Sequence, residues 1–313
     1  MARTMPAPKD NEKVVFERTK GLTDTAFTYC AGCMHGTVHR LIGESLEALQ
    51  VTGSTVGVAP VGCSVTATNF FNCDMVQASH GRAAAVATGI KRVNPNNIVF
   101  SYQGDGDLAA IGTAESVHAA ARGEHITVIF INNAIYGMTG GQMAPTTMPG
   151  QITQTSPYGR IIAQDGYPLR VVEMLSTLDG VAYAERVSVD TPKNIRAAKR
   201  AVRKAFEYQR DKRGYSIVEV LCTCPTNWGL NPLDSADWMR KNMFPYYPLG
   251  VYRDIKAEGF ENIVDAAAAK LEDQKAAYAA QVEAELAREI AKEERKASMK
   301  ADIAEAADSK GGA

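Results

Sequence analysis

IVFSYQGDGDLAA, residues 98–110, leaves an apolar strand and at once sets two carboxylates, Asp105 and Asp107, among glycines. A plain strand-to-helix turn needs one Gly and one N-cap, and the doubled GDGD exceeds that need. LAAIGTAESVHAAARG (108–123) follows with helical spacing, and HITVIFINN (125–133) is a second apolar strand that ends on two asparagines. A strand, a helix and a return strand of this length form a parallel unit. It brings two carboxyl strand ends side by side, where open α/β sheets place their ligands.

The alternation extends outward from this unit. GTVHRLIGESLEAL (36–49) predicts a helix, and STVGVAPVGCS (54–64) a short buried strand that ends in a Gly-containing turn. HGRAAAVATGIKRV (80–93) predicts a helix with small residues along one face. Farther on lie a short strand candidate, GVAYAERVSV, a helix over TPKNIRAAKRAVRKAFEYQ and the strand YSIVEVLC. The expected fold is α/β, a doubly wound, mostly parallel sheet. Residues 1–28 form a polar lead-in, 29–255 the main domain and 256–313 an extension rich in Ala, Glu and Lys. That extension predicts a long helix, or two, with many i,i+4 charge pairs. Residues 134–160 have no period and are rich in Gly, Thr and Pro, the composition of a functional loop.

Composition excludes several classes. A net charge of −1 over 313 residues makes no electrostatic case for nucleic acid or an anionic membrane. Every apolar run is interrupted by Gly, Pro or charge, so no membrane span is expected, and the first twenty residues hold no signal-peptide core. A cytoplasmic enzyme subunit is the default expectation, with its six cysteines reduced.

The site chemistry can be read from the residues. Asp105 and Asn133 offer hard oxygens at neighbouring strand ends, and a backbone carbonyl just beyond Asn133 offers a third. Mg²⁺ takes few protein oxygens and completes its shell with phosphate and water. The glycines let backbone N–H groups approach the phosphates at a helix N-terminus. No GxxxxGK[ST] occurs, and GDGDLA lacks the third Gly of a dinucleotide-binding turn. Cys30 and Cys33 form a CxxC within TYCAGCMHGT, which reads either as a metal-ligand pair or as two buried small residues.

Taken together, GDGDLAAIG, INNAIYGMTGGQMAPTT, YCAGCMHG, PVGCS, ASHGRAAAVATGIKR and VEVLCTCPTNW resemble the 2-oxoacid:ferredoxin oxidoreductases, specifically the β subunit that binds thiamine diphosphate (ThDP). The resemblance covers roughly residues 25–250. It implies that Asp105 and Asn133 bind Mg²⁺ by side chain and Ile135 by its carbonyl. Gly104, Gly106, Asp107, Gly137, Met138 and Thr139 would line the cofactor, with Gly62, Cys63, Ser64 and His80 closing around it. His80 is the candidate catalytic residue, although a His before Gly-Arg at a helix start also reads as a cap or packed residue. A [4Fe–4S] cluster would be held by Cys30, Cys33, Cys63 and Cys224. Cys222 competes with Cys224 for the fourth place, and CPT favours Cys224; Cys73 matches no ligand position. Zinc in a Cys₄ site is the rival that the residues alone permit.

The resemblance also implies oxidative decarboxylation of a 2-oxoacid to acyl-CoA, with electrons passing to the cluster and then to ferredoxin. The glutamate that activates ThDP would come from an α subunit, which would also supply substrate and coenzyme A contacts. A ferredoxin-like chain is a further expected partner. Gly140 stands where some relatives place a Lys, which favours a branched-chain substrate such as 2-oxoisovalerate over 2-oxoglutarate. A non-oxidative ThDP enzyme and a zinc-stabilised scaffold are the remaining alternatives. His35 and His118 read as structural, and Arg160 as a carboxylate ligand or an ion-pairing surface residue.

Overall fold

A computed structural model describes residues 16–258 and 261–308; the first fifteen residues of the lead-in lie outside them. Seven strands form one sheet in the order β2-β1-β3-β4-β6-β5-β7. They are β1 (Thr55–Pro60), β2 (Asp74–Ala78), β3 (Ile98–Gly104), β4 (Thr127–Asn132), β5 (Val181–Ser188), β6 (Tyr215–Leu221) and β7 (Gly250–Asp254). All neighbours pair in parallel except β5 with the edge strand β7. The α-helices as far as Trp238 are α1 (His35–Ala48), α2 (Ala83–Val93), α3 (Thr113–Ala121), α4 (Ile162–Asp165), α5 (Val171–Ser176), α6 (Pro192–Arg210), α7 (Pro225–Trp228) and α8 (Pro232–Trp238).

Strands β4 and β6 are buried along their whole length, as a parallel sheet covered on both faces requires. On one face Leu41, Ile42 and Leu46 of α1 and Val202 and Phe206 of α6 pack with Phe100 and Ile129 of the sheet. On the other face Ala83, Ala84 and Ala87 of α2, with Ala119 of α3 and Leu175 of α5, pack with Val99, Val128 and Phe130. The alanines let α2 lie close to the sheet, which is the use that the small-residue face of 80–93 foretold.

Two local expectations change, and two strands went unread. The helix of 80–93 begins only at Ala83, leaving His80 and Gly81 in a turn. The helix of 108–123 is broken into a π-helical turn over Gly106–Ile111 and then α3. The break follows from the crowded crossing at Gly81 and Gly112: a Cβ on Gly112 would lie 2.7 Å from the Gly81 carbonyl oxygen. The short strands β2 and β7 carry no clear alternation in sequence; β2 is exposed except at its end.

The chain divides into two units, Met1–Ile255 and Lys256–Ala313. In the second, Glu261–Asp308 is one continuous helix, and its residues 269–293 are exposed all round. No helix among the described residues is long and apolar enough to cross a membrane.

Candidate active site

The chain steps from β1 outward to β2 and then back across to β3, so the sheet reverses direction between β1 and β3. Ligand crevices form at such a switch point, outside the carboxyl ends of the strands. Here the loops after β1, β3 and β4, with the turn after β2, enclose one cleft. Its lining includes Gly62, Cys63, Ser64, His80, Gly104, Asp105, Gly106, Asp107, Asn133, Ile135, Gly137, Met138 and Thr139. Every residue assigned to the cofactor from sequence is therefore brought to one place, joined by His35, Val61, Ile131 and Tyr136.

Asp105 is the buried centre of the cleft. One carboxylate oxygen accepts from the Gly106 N–H at 2.9 Å; the other accepts from the Ile135 N–H at 3.2 Å and the Thr146 hydroxyl at 2.8 Å. Burial pushes its carboxyl up to about 6, against the hydrogen bonds that favour the ionised form. Asn133 Oδ1 is buried and has no hydrogen-bond partner among the described residues. A buried amide oxygen without a donor is costly. A divalent cation beside Asp105 would satisfy it, so these residues fit Mg²⁺.

The turn that aims Asn133 is held from behind. Ala134 adopts a left-handed φ of 58°, a conformation that costs a non-glycine residue and must be imposed by its surroundings. Its N–H donates to Asn132 Oδ1, and its carbonyl accepts from Thr147 Oγ1 at 2.7 Å and Gln151 Nε2 at 3.2 Å. Asn132 in turn donates to Glu219, which pairs with Arg186 at 2.9 Å, both wholly buried. Thr146, Thr147 and Gln151 all come from the aperiodic loop, which is packed under the site. Arg160 holds that loop together. It is buried and donates to the carbonyls of Ala144, Pro145, Thr147, Asp165, Gly166 and Tyr167. Neither role expected for Arg160 is seen, because backbone carbonyls take up its guanidinium.

Asp107 lines the cleft, yet its carboxylate is engaged elsewhere. Oδ1 accepts from His80 Nδ1 at 2.6 Å and the Gly81 N–H at 2.5 Å, and Oδ2 accepts from Gln103 Nε2 at 2.8 Å. A carboxylate can only accept, so Nδ1 carries the proton and the lone pair of a neutral ring lies on Nε2. On the expectation that His80 is the catalytic acid–base group, Asp107→Asn should lower kcat about 100-fold while ThDP affinity changes less than about threefold, because the change loosens His80 and leaves the glycines of the cleft in place. Equal losses in kcat and cofactor affinity would refute that assignment.

Gly106 has a different requirement. A Cβ there would lie 2.0 Å from Tyr136 Cε1, whose ring covers the turn and whose hydroxyl donates to the Gly106 carbonyl. Gly106→Ala should therefore cost about 1–3 kcal/mol of stability through overpacking, read as a fall in melting temperature. An unchanged melting temperature would show that Tyr136 swings away freely.

Cys30, Cys33, Cys63 and Cys224 line a second cavity of about 390 Å³, which shares His35, Cys63, Asn133, Gly137 and Met138 with the cleft. The Cys63 and Cys224 thiols lie 3.5 and 3.6 Å from the position of a Cβ on Gly137. Asn227 joins these parts, donating to the Gly137 carbonyl at 2.7 Å and to Cys224 Sγ at 3.3 Å. Cys222 instead points into the core and is 1% exposed. Cys73 packs at the core's edge beside Met75. Burial pushes the Cys33 thiol up to about 12 and the Cys63 thiol to about 11, so a metal must displace protons to bind. Among the described residues, no three His, Cys, Asp or Glu side chains gather closely enough to grip one ion. Tetrahedral zinc, with Zn–S of about 2.3 Å, would need its thiolates within about 4 Å of one another. Four thiols lining one cavity are the donor set that the family resemblance assigns to an iron–sulfur cluster.

His35 is buried on the wall shared by both cavities. It stacks on Tyr29 with centroids 4.7 Å apart and bonds Tyr102 through Nδ1 at 2.5 Å. Burial lowers its pKa to about 4, so the ring is neutral. His118 lies exposed in the last turn of α3, away from the cleft. Thr146, Gln103, Asn227, Glu219 and Arg186 went unread in the sequence. Of these, only Asn227 had a local signal, three residues after the CPT cysteine.

Residues 53–220 match the family described as thiamine pyrophosphate enzyme, C-terminal TPP binding domain. The chain is 47% identical over 258 residues to the ketoisovalerate oxidoreductase subunit VorA of Methanothermobacter thermautotrophicus, covering 82% of this chain and 54% of that one. It is 36% identical over 214 residues to the 2-oxoglutarate synthase subunit KorB of Archaeoglobus fulgidus, covering 68% and 76% respectively. A solved 2-oxoglutarate:ferredoxin oxidoreductase from Magnetococcus marinus, with 2-oxoglutarate, coenzyme A and succinyl-CoA bound, matches at a TM-score of 0.63 and 26% identity. That match covers 74% of this chain and 75% of the other. The chain spans about half the length of its VorA relatives and three quarters of the KorB subunit. With a thiamine pyrophosphate-binding domain over more than half its length and KorB among its relatives, the chain belongs to the 2-oxoacid:ferredoxin oxidoreductases, as a subunit that carries this domain.

Proposed function

We propose that the chain is the ThDP-binding β subunit of an enzyme that converts a 2-oxoacid and coenzyme A into acyl-CoA, CO₂ and a proton while reducing two one-electron acceptors. One observation carries this reading: the Asp105–Asn133 pair, with its unpartnered buried oxygen, sits in a cleft that shares a wall with a four-thiol cavity. ThDP, when bound, supplies the carbanion chemistry that releases CO₂. Asp105, Asn133 and the Ile135 carbonyl hold Mg²⁺, and Gly104, Gly106, Gly137, Met138 and Thr139 accept the diphosphate end against backbone. Gly62, Cys63 and Ser64 close the opposite wall, and His80, oriented by Asp107, is the acid–base group of this chain. Cys30, Cys33, Cys63 and Cys224 hold a [4Fe–4S] cluster, which passes electrons one at a time; the cytoplasm, which keeps thiols reduced, is the proposed compartment.

Among the described residues no glutamate lines the cleft, which supports an α subunit as the source of the activating carboxylate; the same subunit is proposed to supply the coenzyme A contacts. A ferredoxin-like chain and ferredoxin are the proposed electron-accepting partners. Neither Lys nor Arg lines either cavity, and a Cβ on Gly140 would meet nothing within 4 Å. A second carboxylate on the substrate would find no cation among the described residues that line these cavities, which supports a branched-chain 2-oxoacid such as 2-oxoisovalerate.

The test is viologen reduction by the complete complex with coenzyme A and either 2-oxoisovalerate or 2-oxoglutarate. A preference for the first of about tenfold or more is expected from an uncompensated buried charge. Preference for 2-oxoglutarate would overturn the substrate, and no reduction with any 2-oxoacid would overturn the activity.

A further inference from the structure

We infer that the buried Arg186–Glu219 pair sets the metal selectivity of the cofactor cleft, by fixing through Asn132 the turn that presents Asn133. This deepens the proposed function and rests on Asp105 and Asn133 holding a divalent cation. None of Asn132, Arg186 and Glu219 lines the cleft, and all three are wholly buried, so they are positioning residues. An ion pair inside a sheet is a poor source of stability. Removing both charges from water offsets most of their attraction, and apolar residues of similar volume often replace such a pair without loss. The pair therefore calls for another use, and its contacts supply one.

Arg186 on β5 and Glu219 on β6 stand opposite each other in the parallel ladder. Arg186 also donates to Glu173 at 2.9 Å and to the Tyr252 hydroxyl at 2.7 Å, and its guanidinium lies over the Tyr247 and Tyr252 rings. Those contacts fix the guanidinium, and the guanidinium fixes Glu219 Oε2. The other oxygen, Oε1, accepts from Asn132 Nδ2 at 2.7 Å. Asn132 is tied to β6 a second time, its carbonyl accepting from the Cys222 N–H at 2.9 Å. With its amide so held, Oδ1 is aimed at the Ala134 N–H at 3.2 Å, and the hydrogen bond to a carboxylate polarises Oδ1 as an acceptor. Ala134 thereby keeps its left-handed φ of 58°. Asn133 lies between these two fixed residues, with its own Oδ1 buried and unpartnered. Rigidity of this kind discriminates between cations. Mg²⁺ demands near-octahedral oxygens at about 2.0–2.1 Å, whereas Ca²⁺ accepts more varied shells at about 2.3–2.6 Å. A turn held on both sides suits the first ion, and a slack turn would still take the second.

The experiment follows ThDP binding to the complete complex by titration calorimetry at graded Mg²⁺ or Ca²⁺, and requires no turnover. Wild type is compared with the paired variant Arg186→Met and Glu219→Met, with Asn132→Ala, and with all three changes together. The paired variant removes both charges at once, and the groups left behind have other partners: Glu173 is partly exposed, and Tyr252 also donates to the Pro248 carbonyl at 2.7 Å. Its melting temperature should match or exceed that of wild type. The Mg²⁺ concentration for half-maximal ThDP binding should nevertheless rise about tenfold, while that for Ca²⁺ changes less than about threefold. Asn132→Ala should show the same split. The triple variant should be no worse than Asn132→Ala, since the pair acts through that residue. Equal losses for the two cations, an unchanged Mg²⁺ requirement in the paired variant, or losses that simply add would overturn the inference. If the paired variant does not assemble, Asn132→Ala decides by the same cation comparison. Wild-type complex that binds ThDP without a divalent cation would overturn the metal reading instead.

Discussion

Asp105→Asn is expected to weaken Mg²⁺-dependent ThDP binding by at least about 100-fold, more than any other single change in the cleft. Asp105 and Asn133 line the same cleft, the Asp107 carboxylate there is taken up by His80, Gly81 and Gln103, and Mg²⁺ binds hard, charged oxygens in preference to amides. The pH dependence has opposite signs for the bare chain and for cation binding. Burial holds the Asp105 carboxyl up at about 6, against an ordinary value of 3.8. A carboxyl whose pKa is raised by folding contributes stability that is fully present below about pH 3.8 and is lost as pH rises through about 6. The loss is about 3 kcal/mol. Without cation, wild type should therefore lose stability relative to Asp105→Asn between pH 4 and pH 7. Mg²⁺ needs the ionised form, so its affinity for wild type should climb over the same window and level off above it. Denaturant unfolding at the two pH values, with cofactor titrations beside it, reads both effects. A variant that binds ThDP and Mg²⁺ like wild type would remove Asp105 from the metal site.

Cys224→Ala is expected to take the complex from about four irons per chain of this type toward none. Cys222→Ala should leave iron intact and cost about 1 kcal/mol of stability. The two cysteines are separated by one residue, and the end of β6 turns them apart. Cys222 closes the strand ladder, its N–H donating to the Asn132 carbonyl at 2.9 Å, and its thiol points into the core. Cys224 follows at the N-cap of α7 and faces the cavity, with Asn227 donating to its sulfur. Iron, acid-labile sulfide and zinc should be measured on anaerobically purified complexes, with absorbance near the thiolate-to-iron charge-transfer bands. Zinc in wild type without iron, or iron retained by Cys224→Ala, would refute the ligand set.

Much of this site was legible as chemistry before it was legible as space. GDGD and NN stand at the ends of two apolar runs, and a strand that ends on a polar pair delivers that pair to the sheet edge whatever the rest of the chain does. Asp105 and Asn133 were legible for that reason, and the rest of the cleft was legible only through the family resemblance. What lies behind them was not. Arg186 and Glu219 occupy strand positions that alternation reads as ordinary, and their pairing depends on β5 and β6 lying side by side. Arg160 reads as a surface cation because sequence gives no sign that the loop and the turn after α4 will direct six carbonyls toward it.

The sequence by itself determined the strand-end oxygens and the mostly parallel sheet, because these depend on residue type and short-range periodicity; the cysteine set came only from the family resemblance. Only the tertiary structure decided that Cys222 enters the core while Cys224 faces the cavity, that Asp107 holds His80, and that Ala134 is kept left-handed under Asn133. Each of those depends on which way one side chain or peptide turns. That is set by neighbours distant in sequence, through packing and hydrogen bonds that no local pattern encodes.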